Sequence, residues 1–284
     1  MDTFFRSWDL LGRSFAILKS DKELLWLPVM SACFCLAATL IICSAAAIAI
    51  VLPALPLHDV AQQKALGHQL LPFVFLFYFV TYGVGIYFNV ALVSIASDRL
   101  AGGHAVLNDG LQTAWKRKWS ILQWALLAAT VGVLLQSLER RLGFLGRIVT
   151  SITGYVWTLA SFFVVPILAA EDMGPAEALS ESAEIFRKTW GEELAGSFNF
   201  GLISVVLALP GILLPVLGVR LGLGQTGMLA GVALMLIYWM LLALVCSAAR
   251  GVFVAALYRY ATTQQVSDGF RRNDLSGAWQ RKTL

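Results

Sequence analysis

Charged side chains are scarce in this chain of 284 residues, since Asp, Glu, Lys and Arg together make up 13% of it. Soluble domains carry roughly 25%, so the deficit excludes an ordinary water-soluble fold. The 58% share of apolar residues points the same way. Basic residues outnumber acidic ones by 21 to 17, but they are spread along the chain instead of being gathered on one element. This distribution argues against a nucleic-acid partner.

The usual sequence marks of catalysis and metal binding are also absent. HExxH, GxSxG, P-loop and GxGxxG patterns do not occur, and no pair of carboxylates falls inside an apolar stretch. The four cysteines lie in apolar stretches without CxxC or Cys/His spacing, at Cys33, Cys35, Cys43 and Cys246. Thiols in such positions pack as small apolar groups. We therefore expect a protein that is not an enzyme and that holds neither a cofactor nor a metal ion.

The chain is instead rich in long apolar stretches. Six of them contain no charged residue, at 24–57, 69–97, 119–138, 148–170, 194–219 and 221–249. Each reaches the roughly 20 residues that cross about 30 Å of hydrocarbon as a helix. The sequence predicts an all-α integral membrane protein with six transmembrane helices, at about 24–52, 70–97, 119–138, 148–170, 194–219 and 226–249.

Domain limits and an orientation follow from the same stretches. A membrane domain at 24–265 lies between a predicted cytoplasmic amphipathic helix at 1–23 and a cytoplasmic tail at 266–284. The first apolar run is far longer than the core of a signal peptide, so we expect it to remain as an anchor. Of the 21 Lys and Arg residues, 16 fall on the side of the two termini, which predicts that both termini are cytoplasmic. The loop at 138–147 counts against this orientation, because it places three arginines on the opposite side.

Amphipathic segments recur between the spans. The segment at 97–119, SDRLAGGHAVLNDGLQTAWKRKW, and the segment at 170–193, AEDMGPAEALSESAEIFRKTWGEE, share one order of acid, glycine break, helix, basic pair and tryptophan. With the N-terminal helix they suggest three copies of an interfacial helix followed by a hairpin. The sequence thus predicts cytoplasmic interfacial amphipathic helices and a three-fold hairpin repeat, in which Asp98 corresponds to Glu171.

The segment at 174–190 carries the clearest helix signals. Gly174-Pro175 opens it, and Glu177 lies in its first turn. Its predicted apolar stripe consists of Ala176, Leu179, Ala183, Phe186 and Trp190. Two interpretations are open: a docking surface for a cytosolic protein or for lipid headgroups, and a solvated connector. The high charge of the segment favours the connector.

A resemblance to a known family appears at 164–193, where the chain reads VVPILAAEDMGPAEALSESAEIFRKTWGEE. The pattern F-x-I-L-K-S-D-K-E-L-L-W-L-P at 15–28 accompanies it. These motifs resemble an uncharacterised family of bacterial and archaeal six-helix membrane proteins, which is similar to the membrane region attached to some glycerophosphodiester phosphodiesterases. The resemblance implies a membrane fold, with the bacterial inner membrane as its location, but no activity, because the phosphodiesterase domain has no counterpart here.

Polar residues inside the spans are uncharged, which argues against proton-coupled transport. The candidates lie in spans two to five, at Tyr82, Asn89, Gln123, Ser161 and Asn199. They either line a cavity for a solute or bond neighbouring helices across a dry interface, and the second arrangement is the commoner one. We expect the carboxamide of Asn89 to bond Gln123, Ser161 or Asn199.

Two further features each allow two interpretations. Asp98 and Glu171 are first of all helix-end residues, and second a pair of candidate carboxylates at the cytoplasmic mouth of the bundle. Pro210 and Pro215 interrupt span five, which either lines a substrate site or forms a kink that neighbouring helices accommodate.

Glycine pairs at GxxxG spacing, among them Gly227/Gly231, are a weak signal in a glycine-rich apolar chain.

These observations favour a multi-pass membrane protein without catalytic activity, whose role is membrane organisation or interaction and whose first partner is the lipid bilayer. The alternative is a permease or channel for a small neutral or anionic solute. A continuous polar cavity along Tyr82, Asn89 and Ser161 would favour the alternative.

Overall fold

The computed structural model of the chain describes residues 22–51, 60–190, 200–220 and 224–263. Within these ranges the backbone is helical apart from short turns, and it contains no β-strand, so the predicted all-α class is confirmed. The helices are α1 at Trp26–Ala46, α2 at Val60–Leu100, α3 at Leu107–Lys116, α4 at Lys118–Ala160, α5 at Val164–Ala170, α6 at Pro175–Trp190, α7 at Phe200–Arg220 and α8 at Gly224–Thr263. All but the last two residues of the predicted helix at 1–23 lie outside the described residues, and so does the tail at 266–284.

Five helical segments are long and apolar enough to cross a membrane: Glu23–Val51, Leu66–Leu100, Lys118–Glu139, Val149–Ala170 and Gln225–Thr263. They correspond to five of the six predicted spans. The predicted span at 194–219 corresponds to a shorter apolar helix, Ser204–Arg220, and residues 191–199 lie outside the described part of the chain. The sixth span therefore remains a prediction.

The surfaces of these segments are apolar. Leu40, Ile41 and Leu134 expose 70%, 68% and 63% of their surface. Soluble proteins rarely leave apolar patches of this extent in water, whereas hydrocarbon accommodates them. The exposed leucines and isoleucines therefore indicate a membrane protein.

Contacts divide the chain into two compact units. The first consists of Met1–Pro28, Leu92–Leu107 and Ile185–Leu284, and the second consists of Val29–Ala91 and Asn108–Glu184. Each unit contains antiparallel helix pairs, which are described below unit by unit.

In the second unit, α1 and α2 run antiparallel. The rings of Phe34 and Phe88 lie 5.7 Å apart between centroids. The thiol of Cys35 donates to the carbonyl oxygen of Thr81 at 3.8 Å, a contact that uses the cysteine as a packing residue with a weak donor. Residues later in α1 thus pair with earlier ones in α2, as in a hairpin.

The second unit also contains a helical reversal within α4. The rings of Trp124 and Trp157 stack with centroids 5.5 Å apart, although 33 residues of straight helix would separate them by about 50 Å. The chain must therefore turn back between them. The predicted hairpin of spans three and four exists, but the predicted loop at 138–147 has helical backbone. The charged composition of 138–147 predicts a loop, but a turn between two helices can keep helical hydrogen bonds in its backbone up to the point of reversal.

In the first unit, α7 and α8 form an antiparallel pair that depends on glycine. A Cβ at Gly231 would lie 2.6 Å from the carbonyl oxygen of Leu214, and a Cβ at Gly218 would overlap the backbone of Gly227. Side chains would hold the two backbones apart at these points, and glycine lets them approach. The weak Gly227/Gly231 signal thus marks the contact between α7 and α8.

The end of α8 is the most deeply buried part of the first unit. Nine apolar residues between positions 248 and 260 are buried: Ala248, Ala249, Val252, Phe253, Val254, Ala255, Ala256, Leu257 and Tyr260. Gly251 faces α2, since a Cβ there would overlap the side chain of Leu92. The core of this unit therefore lies beyond the predicted end of span six at 249.

Candidate functional site

Asp98 organises the turn that follows α2. Its Oδ2 accepts a hydrogen bond from the N–H of Ala105 at 2.9 Å, and its carbonyl oxygen accepts one from the N–H of Gly103 at 2.9 Å. Gly102 has a φ of 87°, a left-handed conformation that glycine adopts without strain. A Cβ at Gly103 would overlap the carboxylate of Asp98. These contacts agree with the first interpretation of Asp98, that of a helix-end residue.

Arg99 extends this arrangement toward the beginning of α1. Its Nε donates to the carbonyl oxygen of Ala105 at 3.0 Å, and its guanidinium pairs with Glu23 at 3.2 Å. Because the Glu23 side chain is 63% exposed, the pair contributes at most about 1 kcal/mol to stability. Its role is to fix the turn against the start of α1.

Glu171 and Asp172, which follow α5, have different roles. Glu171 is exposed and has extended backbone, and its N–H donates to the carbonyl oxygen of Ile167 at 2.7 Å. The carboxylate of Asp172 pairs with Arg117 at 3.2 Å and accepts a hydrogen bond from the hydroxyl of Ser120 at 3.3 Å. The carboxylate that ties the end of α5 to the start of α4 is therefore Asp172, and Glu171 is an exposed helix-end residue.

Acidic side chains also interact along α6. Burial raises the pKa of Glu181 above its ordinary value, and the negative charges of Glu171 and Glu184 raise it further. Among the described residues, no group of three or more His, Cys, Asp and Glu side chains could hold a metal ion. The acidic residues near Glu181 are thus a source of mutual repulsion, not a ligand set.

The first turn of α6 has the predicted signals in place. The helix begins at Pro175 and ends at Trp190, as the composition of 174–190 predicts. The side chain of Glu177 accepts a hydrogen bond from the N–H of Gly174 at 3.2 Å, the reciprocal contact of a capping box. The acidic first turn also interacts favourably with the helix dipole.

The buried face of α6 differs from the predicted stripe. Ala178, Ser182 and Phe186 are buried, whereas Ala176 of the predicted stripe is exposed. The reason is a polar contact, because the Ser182 hydroxyl accepts a hydrogen bond from the N–H of Phe163 at 2.9 Å. Phe163 lies in the break between α4 and α5, where the first N–H groups of a helix bond outside the helix. A buried serine therefore occupies the centre of the face.

Two of the candidate polar residues bond within their own helices. The amide of Asn89 donates to the carbonyl oxygen of Gly85 at 3.0 Å, and the hydroxyl of Ser161 donates to that of Trp157 at 2.7 Å. Both acceptors lie one turn earlier, the nearest carbonyls that such side chains can reach. In the described structure the amide of Asn89 thus bonds inside α2 instead of reaching Gln123 or Ser161.

Tyr82 and Gln123 are the remaining candidates that the structure describes. Tyr82 is 46% exposed, and its ring lies 6.5 Å from that of Tyr78 on the same helix. The side chain of Gln123 is exposed. Asn199 lies outside the described residues. Among the described candidates of the second unit, Tyr82 and Gln123 are therefore exposed, and Asn89 and Ser161 bond to the preceding turn of their own helices.

The proline kink of α7 is accommodated by α8. Pro210 has no N–H for the preceding turn, and its ring opens that turn. The carbonyl oxygen of Leu207 accepts a hydrogen bond from the hydroxyl of Tyr238 at 2.6 Å. The carbonyl oxygen of Ala208 accepts one from the indole N–H of Trp239 at 3.0 Å. Polar side chains of α8 thus bond to two carbonyls of α7 beside Pro210.

An open cleft of about 420 Å³ lies beside this kink in the first unit. It is lined by Ser204, Ala208, Trp239, Leu242, Ala243, Cys246, Ser247 and Arg250. Arg250 is exposed and is the one charged residue among the described lining residues. Its guanidinium gives this part of the cleft a positive charge that can attract an anion.

Three of these residues are missed by sequence reasoning: Asp172, Ser182 and Arg250. A signal existed for Arg250, because it is the first charge after the stretch at 221–249, where membrane proteins place residues that reach lipid headgroups. The sequence carries no signal for Ser182, since its partner is the backbone N–H of Phe163, in a break between two helices.

Comparison with protein families matches residues 69–269 to the family described as "Family of unknown function (DUF6159)". The match begins in α2 and extends past the end of α8, so it includes both the α6 connector and the cleft between α7 and α8. No curated protein matches the chain.

Proposed function

The chain belongs to this family of unknown function (DUF6159), and we propose that it is a multi-pass protein of the bacterial inner membrane that works by binding and not by catalysis. Its role is membrane organisation or interaction, with the lipid bilayer as its first partner. The observation that carries the proposal is the bonding of Asn89 and Ser161 inside their own helices. Each of these bonds turns a polar hydrogen back onto its own helix, which favours packing between helices over the lining of a solute path.

The proposal places α3 at the cytoplasmic interface, with both termini cytoplasmic. Trp115 and Trp119 are 61% and 68% exposed, and the ammonium of Lys118 lies 4.4 Å from the centroid of the Trp115 ring. Membrane proteins place tryptophan at the membrane–water interface and lysine on the cytoplasmic side, which supports this position. Reporter fusions after Gln112 and after Gln225 are expected to report the inside and the outside. An inside signal at Gln225 would overturn the orientation.

The proposal also includes six spans arranged as a three-fold hairpin repeat. Antiparallel pairing of α1 with α2, within α4, and of α7 with α8 supports the repeat, and α3 and α6 precede the second and third pairs. The similarity to the membrane region attached to some glycerophosphodiester phosphodiesterases belongs to the same proposal and concerns the fold alone.

The partner surface in this proposal is the exposed face of α6, which would contact a cytosolic protein or lipid headgroups. Ser180, Arg187 and Lys188 are exposed there. A photo-crosslinking residue at Ser180 in intact cells is expected to give adducts with a protein or with lipid headgroups. The same residue at Leu229, which is 60% exposed on the apolar part of α8, serves as the control and should label lipid chains. Absence of adducts at Ser180 would leave α6 a solvated connector.

The rival function is a permease or channel for a small neutral or anionic solute, and the Arg250 cleft favours an anionic one. Purified protein in liposomes distinguishes the two functions. Uptake of labelled glycerol, phosphate and chloride is expected to equal that of protein-free liposomes. Asn89→Leu should leave it unchanged. Uptake above that of protein-free liposomes would overturn the binding proposal in favour of the permease.

A further inference from the structure

We propose that the cleft between α7 and α8 binds an anionic phospholipid, with the phosphate at Arg250 and an acyl chain along Ala208, Trp239 and Leu242. The inference requires that the chain spans a membrane, and it does not depend on the organising role proposed above. It rests on the position of Arg250, on the register of the lining residues and on their chemistry.

Arg250 occupies the end of an apolar run. No charged residue occurs from 221 to 249, and Arg250 is the next residue. Its side chain is exposed. Arginines at the end of a membrane span extend their apolar stem along the helix and keep the guanidinium at the level of the headgroups. The cleft therefore has a charged end where phosphates are found.

The remaining lining residues run from this end into the apolar part of α8. Trp239, Leu242, Cys246 and Arg250 follow at spacings of three or four residues, which places them on one face of the helix. The 11 residues from Trp239 to Arg250 correspond to about 16 Å of helix, close to half of the roughly 30 Å of hydrocarbon in a bilayer. The cleft thus has the length of one leaflet, with one polar end.

The part of the cleft at Trp239 is held in shape by contacts between α7 and α8. The indole of Trp239 is fixed by its bond to the carbonyl oxygen of Ala208 at 3.0 Å. Gly211 makes room for it, since a Cβ there would lie 2.6 Å from Nε1 of Trp239. A site that is already formed needs little ordering when a chain enters, and this favours binding.

The chemistry of the lining selects the headgroup. A guanidinium binds a phosphate through two parallel hydrogen bonds, and the hydroxyl of Ser247 lies in the same lining. None of the described lining residues is acidic, and this favours a lipid with net negative charge over one that also carries an ammonium. On the same helix Leu236 and Leu241 are 55% and 53% exposed, so an apolar surface that suits acyl chains lies close in sequence to the lining residues. A phospholipid therefore fits the site better than a free anion.

Binding of phosphatidylglycerol and phosphatidylcholine of equal chain length, measured by native mass spectrometry of the full chain in detergent, tests the site. The intact protein is expected to prefer phosphatidylglycerol. Arg250→Gln should weaken that binding roughly tenfold, because a hydrogen bond to a charged group is lost. Arg250→Lys, which keeps the charge without the paired bonds, should weaken it less.

Two further variants separate the site from general charge attraction. Arg220→Gln makes the same charge change at an exposed position outside the cleft and should leave binding unchanged. Ser247→Leu keeps Arg250 but fills the cleft, and should weaken binding as Arg250→Gln does. Thermal unfolding of each variant checks that it is folded.

Three results would overturn the proposal. The first is equal binding of the two lipids, and the second is equal loss from Arg220→Gln and Arg250→Gln. The third is displacement of the lipid by inorganic phosphate at millimolar concentration, which would identify an anion site without lipid selectivity. Solute uptake in liposomes is a separate readout, so failure of the proposed function leaves this test interpretable.

Discussion

The two halves of α8 are both apolar helix, but their surroundings are opposite. In the half at 225–247, the large side chains of Leu236 and Met240 are 55% and 51% exposed. In the half at 248–260, residues 251–257 are buried without interruption. Seven consecutive residues make almost two turns, so protein covers every face of the helix there. One half faces a solvent that accepts apolar groups, and the other half is a protein core.

This difference shows which sequence signal distinguishes a helix surface that contacts lipid from one that contacts protein. High hydropathy indicates only that the surface is kept from water. Small residues show that other protein approaches closely, and five of the 13 residues of the second half are small: Ala248, Ala249, Gly251, Ala255 and Ala256. Gly251 illustrates the effect, since any Cβ there would overlap Leu92.

The largest expected effect comes from removing a ring in the second half. Phe253 is fully buried, and Phe253→Ala should lower the free energy of unfolding by about 3–5 kcal/mol, because it removes apolar contacts and leaves a cavity. Denaturation with SDS in mixed micelles measures the loss. Leu236→Ala, on the exposed half, is the matched control and should change stability by no more than about 0.5 kcal/mol. Equal losses from the two variants would break the comparison.

Much of the fold follows from the sequence alone. Charge-free length predicts the all-helical class and the positions of five apolar helices, because a bilayer permits few alternatives. Capping signals at Gly174 and Glu177 predict the start of α6, since those contacts are local. The pairing of spans three and four is also predicted, but not the helical backbone at 138–147, because helix turns need no fixed loop composition.

The candidate site was less accessible to sequence reasoning, because side-chain bonds are decided by tertiary distance. The amide of Asn89 bonds Gly85 within its own helix, while Asn199, one of its predicted partners, lies outside the described residues. Asp172 ties α5 to α4 although Glu171 was the candidate. Ser182 lies inside a face expected to be apolar, since its partner is created by a helix break. In each case the residue type is visible in the sequence and the partner is not.

A smaller loss of stability is expected from a substitution in the exposed half of α8, at a glycine that contacts α7. Gly231 lies against the backbone of α7, where a Cβ would be 2.6 Å from the carbonyl oxygen of Leu214. Gly231→Val should therefore lower the free energy of unfolding by about 1–3 kcal/mol through overpacking. Ala233→Val, at an exposed position two residues later, should be nearly neutral. The same SDS denaturation measures both, and a neutral Gly231→Val would show that α7 and α8 do not meet through this glycine.

The smallest expected change in stability concerns a third environment, the charged surface of α6. There the stability of the protein depends on interactions between charges more than on packing. Burial, Glu171 and Glu184 raise the pKa of Glu181 in the folded protein. A raised folded pKa means that ionisation opposes folding. Well below the unfolded pKa of about 4.3, the Glu181 carboxyl is neutral and does not lower stability. As the pH rises through the unfolded and then the higher folded pKa, the carboxyl ionises and stability falls. Glu181→Gln should stabilise the protein at pH 7 by about 0.2–0.5 kcal/mol, as expected for the loss of one like-charge contact on a helix.

The pH dependence distinguishes this mechanism from a change in packing. The gain of Glu181→Gln should shrink as the pH falls below the unfolded pKa of about 4.3 and vanish at about pH 3, where the Glu181 carboxyl is neutral in the folded and in the unfolded protein. Glu177→Gln on the same helix provides a control of opposite sign. Glu177 lies in the first turn and accepts the N–H of Gly174, so its charge is favourable there and its loss should lower stability at pH 7 by about 0.3–1 kcal/mol. Melting temperatures of both variants at about pH 3 and at pH 7 measure the two effects. A gain from Glu181→Gln that persists in full at about pH 3 would show that packing of the side chain, and not its charge, sets the energy on this face.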